Sequence, residues 1–213
     1  YHRTSEYVRN AMIKLGITGG IGSGKSVVSR LLQIMDIPVY QTDDEAKRLT
    51  VADPHIRRDL SALVGDAVYA SDGSLNKEVL ASYIFGFPER IARVNAIIHP
   101  RVKTDFEHWS ERQRQCRLVG MECAILYESG FENTVDKVIA VSAPWNVRLC
   151  RAMKRDAARE EQIRKRMEHQ LPDEELCARA DFVVRNDGVT PLLPQLEQIL
   201  AQLNAFPKSV DRP

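Results

Sequence analysis

The residue types best suited to chemistry in this sequence are four glycines, a lysine and a serine within one short segment. The segment 19–26 reads GGIGSGKS, the pattern G-x-x-x-x-G-K-S. Glycines permit positive φ angles and let backbone N–H groups close around phosphate oxygens without an intervening Cβ. Lys25 is long enough to reach the β- and γ-phosphates of a nucleotide, and the Ser26 hydroxyl is a suitable Mg²⁺ ligand. The segment therefore predicts a phosphate-binding loop for MgATP or a similar triphosphate.

The sequence on either side of the loop has the pattern that such a loop requires. Residues 12–18 form a short apolar run, apolar residues then recur at helical spacing from Val27 to Met35, and residues 37–40 predict a second strand. A strand, a loop, a helix and a strand form a βαβ unit, whose strands are parallel. A glycine-rich turn that binds nothing is the alternative, and it would not require this context. The residues predicted to contact the nucleotide through the loop are Gly20, Gly22, Ser23, Gly24, Lys25, Ser26 and Val27.

Helical patterns dominate the next seventy or so residues, from 44 to 115. Helix starts are predicted at Asp53-Pro54, at Asn76 and at Pro88. Because a proline disfavours helical geometry in the residue before it, Pro100 predicts a break or kink at His99. Strand patterns return at 117–126, 138–142 and 182–184, and helical patterns at 145–155 and 192–203.

These elements predict an α/β fold, namely a three-layer P-loop NTPase with a parallel five-stranded sheet, a helical substrate-binding insertion and a helical lid. The predicted nucleotide-binding core comprises residues 12–43, 116–150 and 171–205, the acceptor-binding domain residues 44–115, and the lid residues 151–170. Residues 1–11 are predicted to be an N-terminal extension and residues 206–213 a frayed tail.

Two aspartates, Asp43 and Asp44, follow the second predicted strand directly. Ligand sites of open parallel sheets form at the carboxyl ends of strands, so this position is favoured for function. A carboxylate here could accept the proton of a hydroxyl or help to hold Mg²⁺, and Asp43 is the candidate. The alternative is structural, because Thr42 or Asp43 could cap the helix that begins here.

Three arginines share one face of the helix predicted at 145–155. Arg148, Arg151 and Arg155 lie at i, i+3 and i+7, within about 60° of one another, opposite an apolar arc. The pattern predicts a row of guanidinium groups continued by the charged stretch to Gln170, as in a lid that neutralises a transferring phosphoryl group and excludes water. The alternative is a solvated helix whose arginines pair with nearby acidic residues.

Four further residues are weaker candidates. His99 precedes Pro100, and Glu128 lies near the end of the third predicted strand. Asn186 and Gly188 follow the last strand, where a turn or an adenine-binding loop would both fit.

Composition narrows the function classes. A formal net charge of +1 gives no global field for nucleic acid or an anionic membrane, so neither partner is expected, and any anion must be held locally. The four cysteines contain no C-x-x-C pair, which favours free thiols in a reducing compartment. No apolar run approaches about 18 residues, so no transmembrane helix is expected, and the predicted location is the cytoplasm. No obligate protein partner is predicted.

With these residues in view, the sequence resembles the dephospho-coenzyme A kinases from residue 12 to residue 205. The loop segment ITGGIGSGKS is typical of that family, and Asp43 matches the second aspartate of its D-x-D motif, although Gln41 replaces the first. His99-Pro100 is similar to the family's asparagine-to-His-Pro signature. Further matches are ILYE at 125–128, where Ala124 replaces the usual proline, RAMKRD at 151–156 and NDG at 186–188.

The resemblance implies MgATP-dependent phosphorylation of the ribose 3′-hydroxyl of dephospho-coenzyme A, with ATP and dephospho-coenzyme A as the small-molecule partners. It implies that Asp43 is the base and that Lys25, Arg151 and Arg155 stabilise the phosphoryl group. It also implies that His99 and Glu128 line the acceptor side and Asn186 the adenine. A nucleoside or nucleotide kinase is the near alternative, and a regulatory P-loop ATPase is the alternative from another class.

Overall fold

The structure is a computed structural model that describes residues 12–203, so the predicted extension 1–11 and tail 206–213 lie outside the described residues. The strands are β1 (Ile13–Thr18), β2 (Val39–Gln41), β3 (Leu118–Glu122), β4 (Lys137–Ser142) and β5 (Phe182–Arg185). The α-helices are α1 (Lys25–Ile34), α2 (Thr42–Ala52), α3 (Pro54–Val64), α4 (Lys77–Ile84), α5 (Pro88–Arg112), α6 (Trp145–Asp156), α7 (Glu160–Glu168), α8 (Asp173–Arg179) and α9 (Leu192–Gln202). Short 3₁₀ helices cover Asp66–Val68 and Phe131–Thr134.

The chain divides into two compact units. The first contains the described residues up to Val39 and from Gln113 onward, and the second is Tyr40–Arg112. Among the described residues, no helix has the length and apolar character needed to cross a bilayer. All four cysteines are free thiols, as the sequence predicted.

The sheet is parallel and five-stranded, in the order β2-β3-β1-β4-β5. This confirms the predicted sheet. β1 lies in the middle, with Ile17 opposite Glu122 of β3 and Thr18 opposite Ala140 of β4. Because this central strand is covered on both faces of the sheet, its last four residues are buried, which explains why its sequence is a continuous apolar run. The carboxyl ends of the parallel strands meet at one edge, where the glycine loop begins.

Helices cover both faces of the sheet. On one face, α1 and α9 contribute Val28, Leu32 and Leu196 to a core that includes Leu15 and Ile17 of β1. Each such fully buried aliphatic side chain stabilises the fold by about 1.5–3 kcal/mol. On the other face, α8 packs on β4, and the segment after β3 packs against the bare Cα of Gly16. The result is the predicted three-layer α/β arrangement.

Two predictions about element boundaries were wrong. The third strand ends at Glu122, not at residue 126, and residues 124–130 form turns in which Phe131 N–H donates to the carbonyl of Leu126 at 2.9 Å. Leu126 is buried in that turn, so its apolar character did not indicate a strand. Of the break or kink predicted at His99, the break is absent, because α5 runs through Pro100. Pro100 cannot donate a helical hydrogen bond, which costs stability. Val94 before it and Val102 after it in the sequence are both buried, and their burial offsets that cost.

The second unit is helical, as predicted, with α5 packed against α2, α3 and α4. The helix starts predicted at Asp53-Pro54 and Asn76 are confirmed by their caps, and α5 begins at Pro88 as predicted. The Asp53 carboxylate accepts from His55 N–H at 2.8 Å and from Ile56 N–H at 3.0 Å, and the Asn76 amide oxygen accepts from Val79 N–H at 3.3 Å. Replacing such a cap by alanine typically costs about 1 kcal/mol.

Candidate active site

The loop between β1 and α1 is closed on itself and ends at a helix N-terminus. Gly24 is the N-cap of α1 and offers no side chain, so the first N–H groups of the helix remain available to an anion. Gly22 has φ of 77°, a conformation that residues with a Cβ rarely adopt. Lys25 Nζ folds back and donates to the carbonyl of Gly19 at 2.8 Å. The loop thus presents backbone dipoles and an ammonium group, which is the chemistry of a phosphate site.

Ser26 has a carboxylate partner that the sequence analysis missed. Ser26 Oγ donates to Glu122 Oε1 at 2.9 Å, since Glu122 ends β3 directly beside β1. A hydroxyl and a carboxylate are the hard oxygen ligands that suit Mg²⁺, which also keeps waters and substrate phosphates as ligands. Among residues 12–203, no group of three or more His, Cys, Asp and Glu residues could hold a metal ion by itself. Ser26 and Glu122 therefore fit a Mg²⁺ site in which the protein supplies two oxygen ligands and the phosphates of the nucleotide supply others.

A signal for Glu122 was present in the sequence. It is the first charged residue after the apolar run 118–121. The prediction that the strand continues to residue 126 favoured Glu128 instead, which the structure places in the turns after β3. There Glu128 is exposed, and its Oε1 accepts from Leu171 N–H at 3.4 Å.

Asn186 and its neighbours reach the phosphate loop from the end of β5. The Asn186 side chain is buried, and its Nδ2 donates to the carbonyl of Ser23 at 2.8 Å. The loop that follows is held by Asp187, whose carboxylate accepts the backbone N–H groups of Thr190 and Val189, and these bonds lower the pKa of Asp187 to about 2. Asn186 therefore supports the loop backbone, and its predicted contact with adenine stays a prediction.

Two of the predicted arginines line a cavity with the phosphate loop. The cavity has a volume of about 200 Å³, and its lining residues are Gly22, Gly24, Lys25, Ser26, Val27, Arg151, Ala152 and Arg155. Arg151 donates from a terminal nitrogen to the carbonyl of Asn186 at 2.8 Å, which fixes its side chain beside Gly188. The structure therefore brings together the phosphate-loop residues and the arginines Arg151 and Arg155 that the sequence singled out.

Arg148 does not belong to this arginine face. The predicted row of three exposed guanidinium groups is wrong at that position, because the Arg148 side chain is only 4% exposed and bonds to the carbonyl of Ile21. Helical spacing places residues on a face, but a long side chain at the edge of the apolar arc can turn inward when it finds acceptors.

Further along the predicted lid, the structure shows the local ion pairs that were the alternative interpretation. Arg155 and Arg166 both bond to Asp156, at 2.6 Å each, and hold the pKa of its carboxyl well below its usual range. Arg164 pairs with Glu160 one turn away in α7. Asp156 is thus the partner that Arg155 has in this structure.

Comparison with known proteins decides the family. A sequence model of the dephospho-CoA kinase family matches residues 13–191. The chain belongs to the dephospho-CoA kinase family. A dephospho-CoA kinase of Bacteroides fragilis strain YCH46 is 51% identical over 191 residues, which cover 90% of this chain and 93% of that relative.

Solved structures agree with this family at the level of the fold. A crystal structure of a Thermus thermophilus protein has a TM-score of 0.79 at 33% identity, covering 91% of this chain and 98% of the other. The dephospho-CoA kinase of Campylobacter jejuni has a TM-score of 0.63 at 20% identity, covering 90% of this chain and 95% of the other, and it shows the fold alone.

The other two residues predicted for the dephospho-CoA kinase site belong to the second unit. Asp43 is exposed on the first turn of α2, where Gln41 is the N-cap residue and no side chain caps the helix, so the structural alternative for Asp43 is absent. His99 is half-buried in α5, and burial, with a smaller effect of the Lys103 charge, lowers its pKa. A lowered pKa keeps the imidazole neutral near neutral pH, as an uncharged hydrogen-bonding group requires. The roles of Asp43 and His99 in the site stay predictions.

Proposed function

We propose that this member of the dephospho-CoA kinase family transfers the γ-phosphoryl group of ATP to the ribose 3′-hydroxyl of dephospho-coenzyme A, giving coenzyme A and ADP. The observation that carries the proposal is the cavity in which Lys25, Ser26, Arg151 and Arg155 meet, in a chain that matches the family from residue 13 to residue 191. Cationic groups and backbone N–H groups directed at one small volume are suited to a transferring phosphoryl group.

On the donor side, the N–H groups of the phosphate loop hold the β-phosphate at the N-terminus of α1. When ATP binds, the Lys25 ammonium group releases the Gly19 carbonyl and donates to phosphate oxygens instead. Its present bond of 2.8 Å to that carbonyl already places the ammonium group over the loop. Arg151 stabilises the charge of the transferring group, and Arg155 joins it after leaving Asp156. Asn186 and Gly188 lie on the adenine side of the same nucleotide.

Magnesium fits the oxygen ligands of this site. Ser26 and Glu122 would hold it, and Asp43 is a further candidate ligand. Bound Mg²⁺ would neutralise part of the triphosphate charge. The serine hydroxyl is kept in place for this purpose by its 2.9 Å bond to Glu122.

On the acceptor side, we assign the binding of dephospho-coenzyme A to the helical unit, predicted from the sequence as residues 44–115. Asp43 orients the 3′-hydroxyl and takes its proton as the oxygen attacks the γ-phosphorus and the bond to ADP breaks. His99 and Glu128 line the acceptor side. The segment 151–170 acts as the lid that excludes water during transfer.

The test is an acceptor panel with purified protein and MgATP. ADP release is measured with dephospho-coenzyme A, AMP, adenosine or no acceptor, and the product is located by mass spectrometry and phosphorus NMR. We expect ADP only with dephospho-coenzyme A, and a new 3′-phosphate monoester. Lys25→Ala serves as the control for contaminating kinases. Equal ADP release without an acceptor, or faster release with AMP or adenosine, would overturn the proposal in favour of an ATPase or a nucleotide kinase.

A further inference from the structure

One residue of the phosphate loop, Ile21, has both of its backbone polar groups hydrogen-bonded to side chains from outside the loop. Ile21 N–H donates to Gln170 Oε1 at 2.7 Å, and the Ile21 carbonyl accepts from Arg148 Nε at 3.1 Å. Gln170 follows α7, and Arg148 lies in α6. Neither residue lines the cavity that holds Lys25 and Ser26.

Arg148 is itself fixed by a second bond. Its terminal nitrogen pairs with Asp173 at 3.2 Å, and Asp173 also accepts from the Ser142 hydroxyl at the end of β4. Burial lowers the pKa of the Arg148 guanidinium, while the Asp173 charge opposes that shift. A buried cation with two oriented acceptors has few alternative positions, since leaving either acceptor unpaired is costly.

Contacts with the loop backbone are as close as glycine allows. A Cβ built on Gly20 would stand 2.6 Å from Cζ of Arg148, and one built on Gly22 would stand 2.7 Å from the Arg148 carbonyl carbon. Any side chain at residue 20 would therefore displace the guanidinium group from Ile21 and Asp173. Gly20 thus has a packing role toward Arg148 in addition to its place in the phosphate pattern.

We propose that Arg148 and Gln170 are positioning residues that fix the backbone on both sides of Ile21 and thereby keep the loop in its phosphate-binding conformation. The inference rests on the proposed function only in taking that ligand to be the triphosphate of ATP. The two residues act through the loop backbone, so their loss broadens the loop's conformations and reduces the fraction that is competent to bind. The bond between Ile21 N–H and Gln170 also connects the last residue of the predicted lid to the phosphate loop.

The primary test is Gln170→Met, which removes the acceptor of Ile21 N–H without changing a charge. Loss of one neutral hydrogen bond predicts an increase of about 3- to 10-fold in the Kd for ADP and in the KM for ATP. The KM for dephospho-coenzyme A and the kcat at saturating ATP are expected to stay within about twofold, because the residue touches neither reacting group. Gln198→Met, a matched change at an exposed position of α9, is expected to leave all of these values unchanged.

A double-mutant cycle tests the contribution of the bond between Arg148 and the Ile21 carbonyl. Gly20→Ala and Arg148→Met are each expected to raise the Kd for ADP by about 10-fold or more, since each removes a charged hydrogen bond to the loop. In the Arg148→Met background, Gly20→Ala should have a much smaller effect, because the guanidinium that it displaces is already gone. Thermal unfolding with and without ADP verifies that each variant is folded.

Binding of ADP, measured by calorimetry, needs no acceptor, so these results separate from the acceptor panel. A protein that binds ADP but does not phosphorylate dephospho-coenzyme A would contradict the proposed function. The inference about Arg148 and Gln170 would then still be decided by the Kd values for ADP of the variants. Wild-type ADP affinity in Gln170→Met, or a fall in kcat with unchanged affinity, would overturn it. So would additive effects of Gly20→Ala and Arg148→Met.

Discussion

Asp43 is the residue on which the chemical step depends most. It is exposed on the first turn of α2 and caps nothing there, so its structural contribution is the small one of a negative charge at a helix N-terminus. Asp43→Asn keeps the size of the side chain and removes the proton acceptor. We expect kcat to fall by about 10² or more, with the Kd for ADP within about twofold of the wild type, since general-base catalysis contributes about 10²–10⁴-fold.

The neighbouring carboxylate provides the matched control for that prediction. Asp44 is equally exposed and pairs with Lys47 at 2.9 Å, a surface pair that contributes little. Asp44→Asn should therefore retain the wild-type kcat. Steady-state rates with both substrates saturating decide the matter, and an Asp43→Asn enzyme that works at full rate would exclude Asp43 as the base.

Single residues also mark the limit of what the sequence could predict. The glycine loop at the start of α1 and the shared helix face of Arg151 and Arg155 were predictable because loop pattern and helical spacing are local properties. Arg148 and Glu122 were not, since their roles depend on partners more than 90 residues away, Ile21 and Ser26. Helical spacing places Arg148 on α6, but its inward orientation depends on the positions of the Ile21 carbonyl and the Asp173 carboxylate.

At the scale of elements, the backbone is strained at Ala157, between α6 and α7. Ala157 has φ of 48° and ψ of 33°, the left-handed conformation that normally ends a helix with glycine. Its side chain is exposed, so no packing is lost when the Cβ is removed. The steric cost of that conformation for alanine is about 1–2 kcal/mol, and the extra freedom of unfolded glycine offsets about half of it.

Ala157→Gly is therefore expected to raise the free energy of unfolding by about 0.5–1 kcal/mol, measured in urea with nucleotide absent. The same substitution at Ala96, exposed in the interior of α5, should lower it by about 1 kcal/mol, because that residue is helical. Opposite signs for one chemical change isolate the backbone conformation as the cause. A loss of stability in both variants would contradict the left-handed assignment at residue 157.

Element boundaries were less predictable than element types. The five strands and the helical block followed from apolar patterning, because burial on both faces of a parallel sheet leaves continuous apolar runs. The end of β3 and the passage of α5 through Pro100 did not, since both depend on which apolar residues find a core after the chain has turned. Leu126 and Val102 are both fully buried, one in a turn and the other in a helix.

At the scale of the whole molecule, the two compact units correspond to two proposed ligands. The first unit contains the phosphate loop, Glu122, Arg151 and Asn186, which we assign to ATP and Mg²⁺. The second unit, Tyr40–Arg112, contains Asp43 and His99, which we assign to dephospho-coenzyme A. A ligand stabilises the structure that binds it, by about 2.7 kcal/mol when its concentration is 100 times the Kd, so each ligand should leave its own signature.

Hydrogen exchange followed by mass spectrometry can measure the stabilisation of each unit separately. A non-hydrolysable ATP analogue should slow exchange in the loop 19–26 and in α6, while leaving α3 and α4 unchanged. Dephospho-coenzyme A should slow exchange within the second unit, and it should do so in Lys25→Ala as well, because Lys25 belongs to the phosphate loop of the first unit. Slowing confined to the first unit with dephospho-coenzyme A would remove the acceptor-binding role from the helical unit. Because the ATP signature does not depend on the acceptor, that result would leave the nucleotide assignment intact.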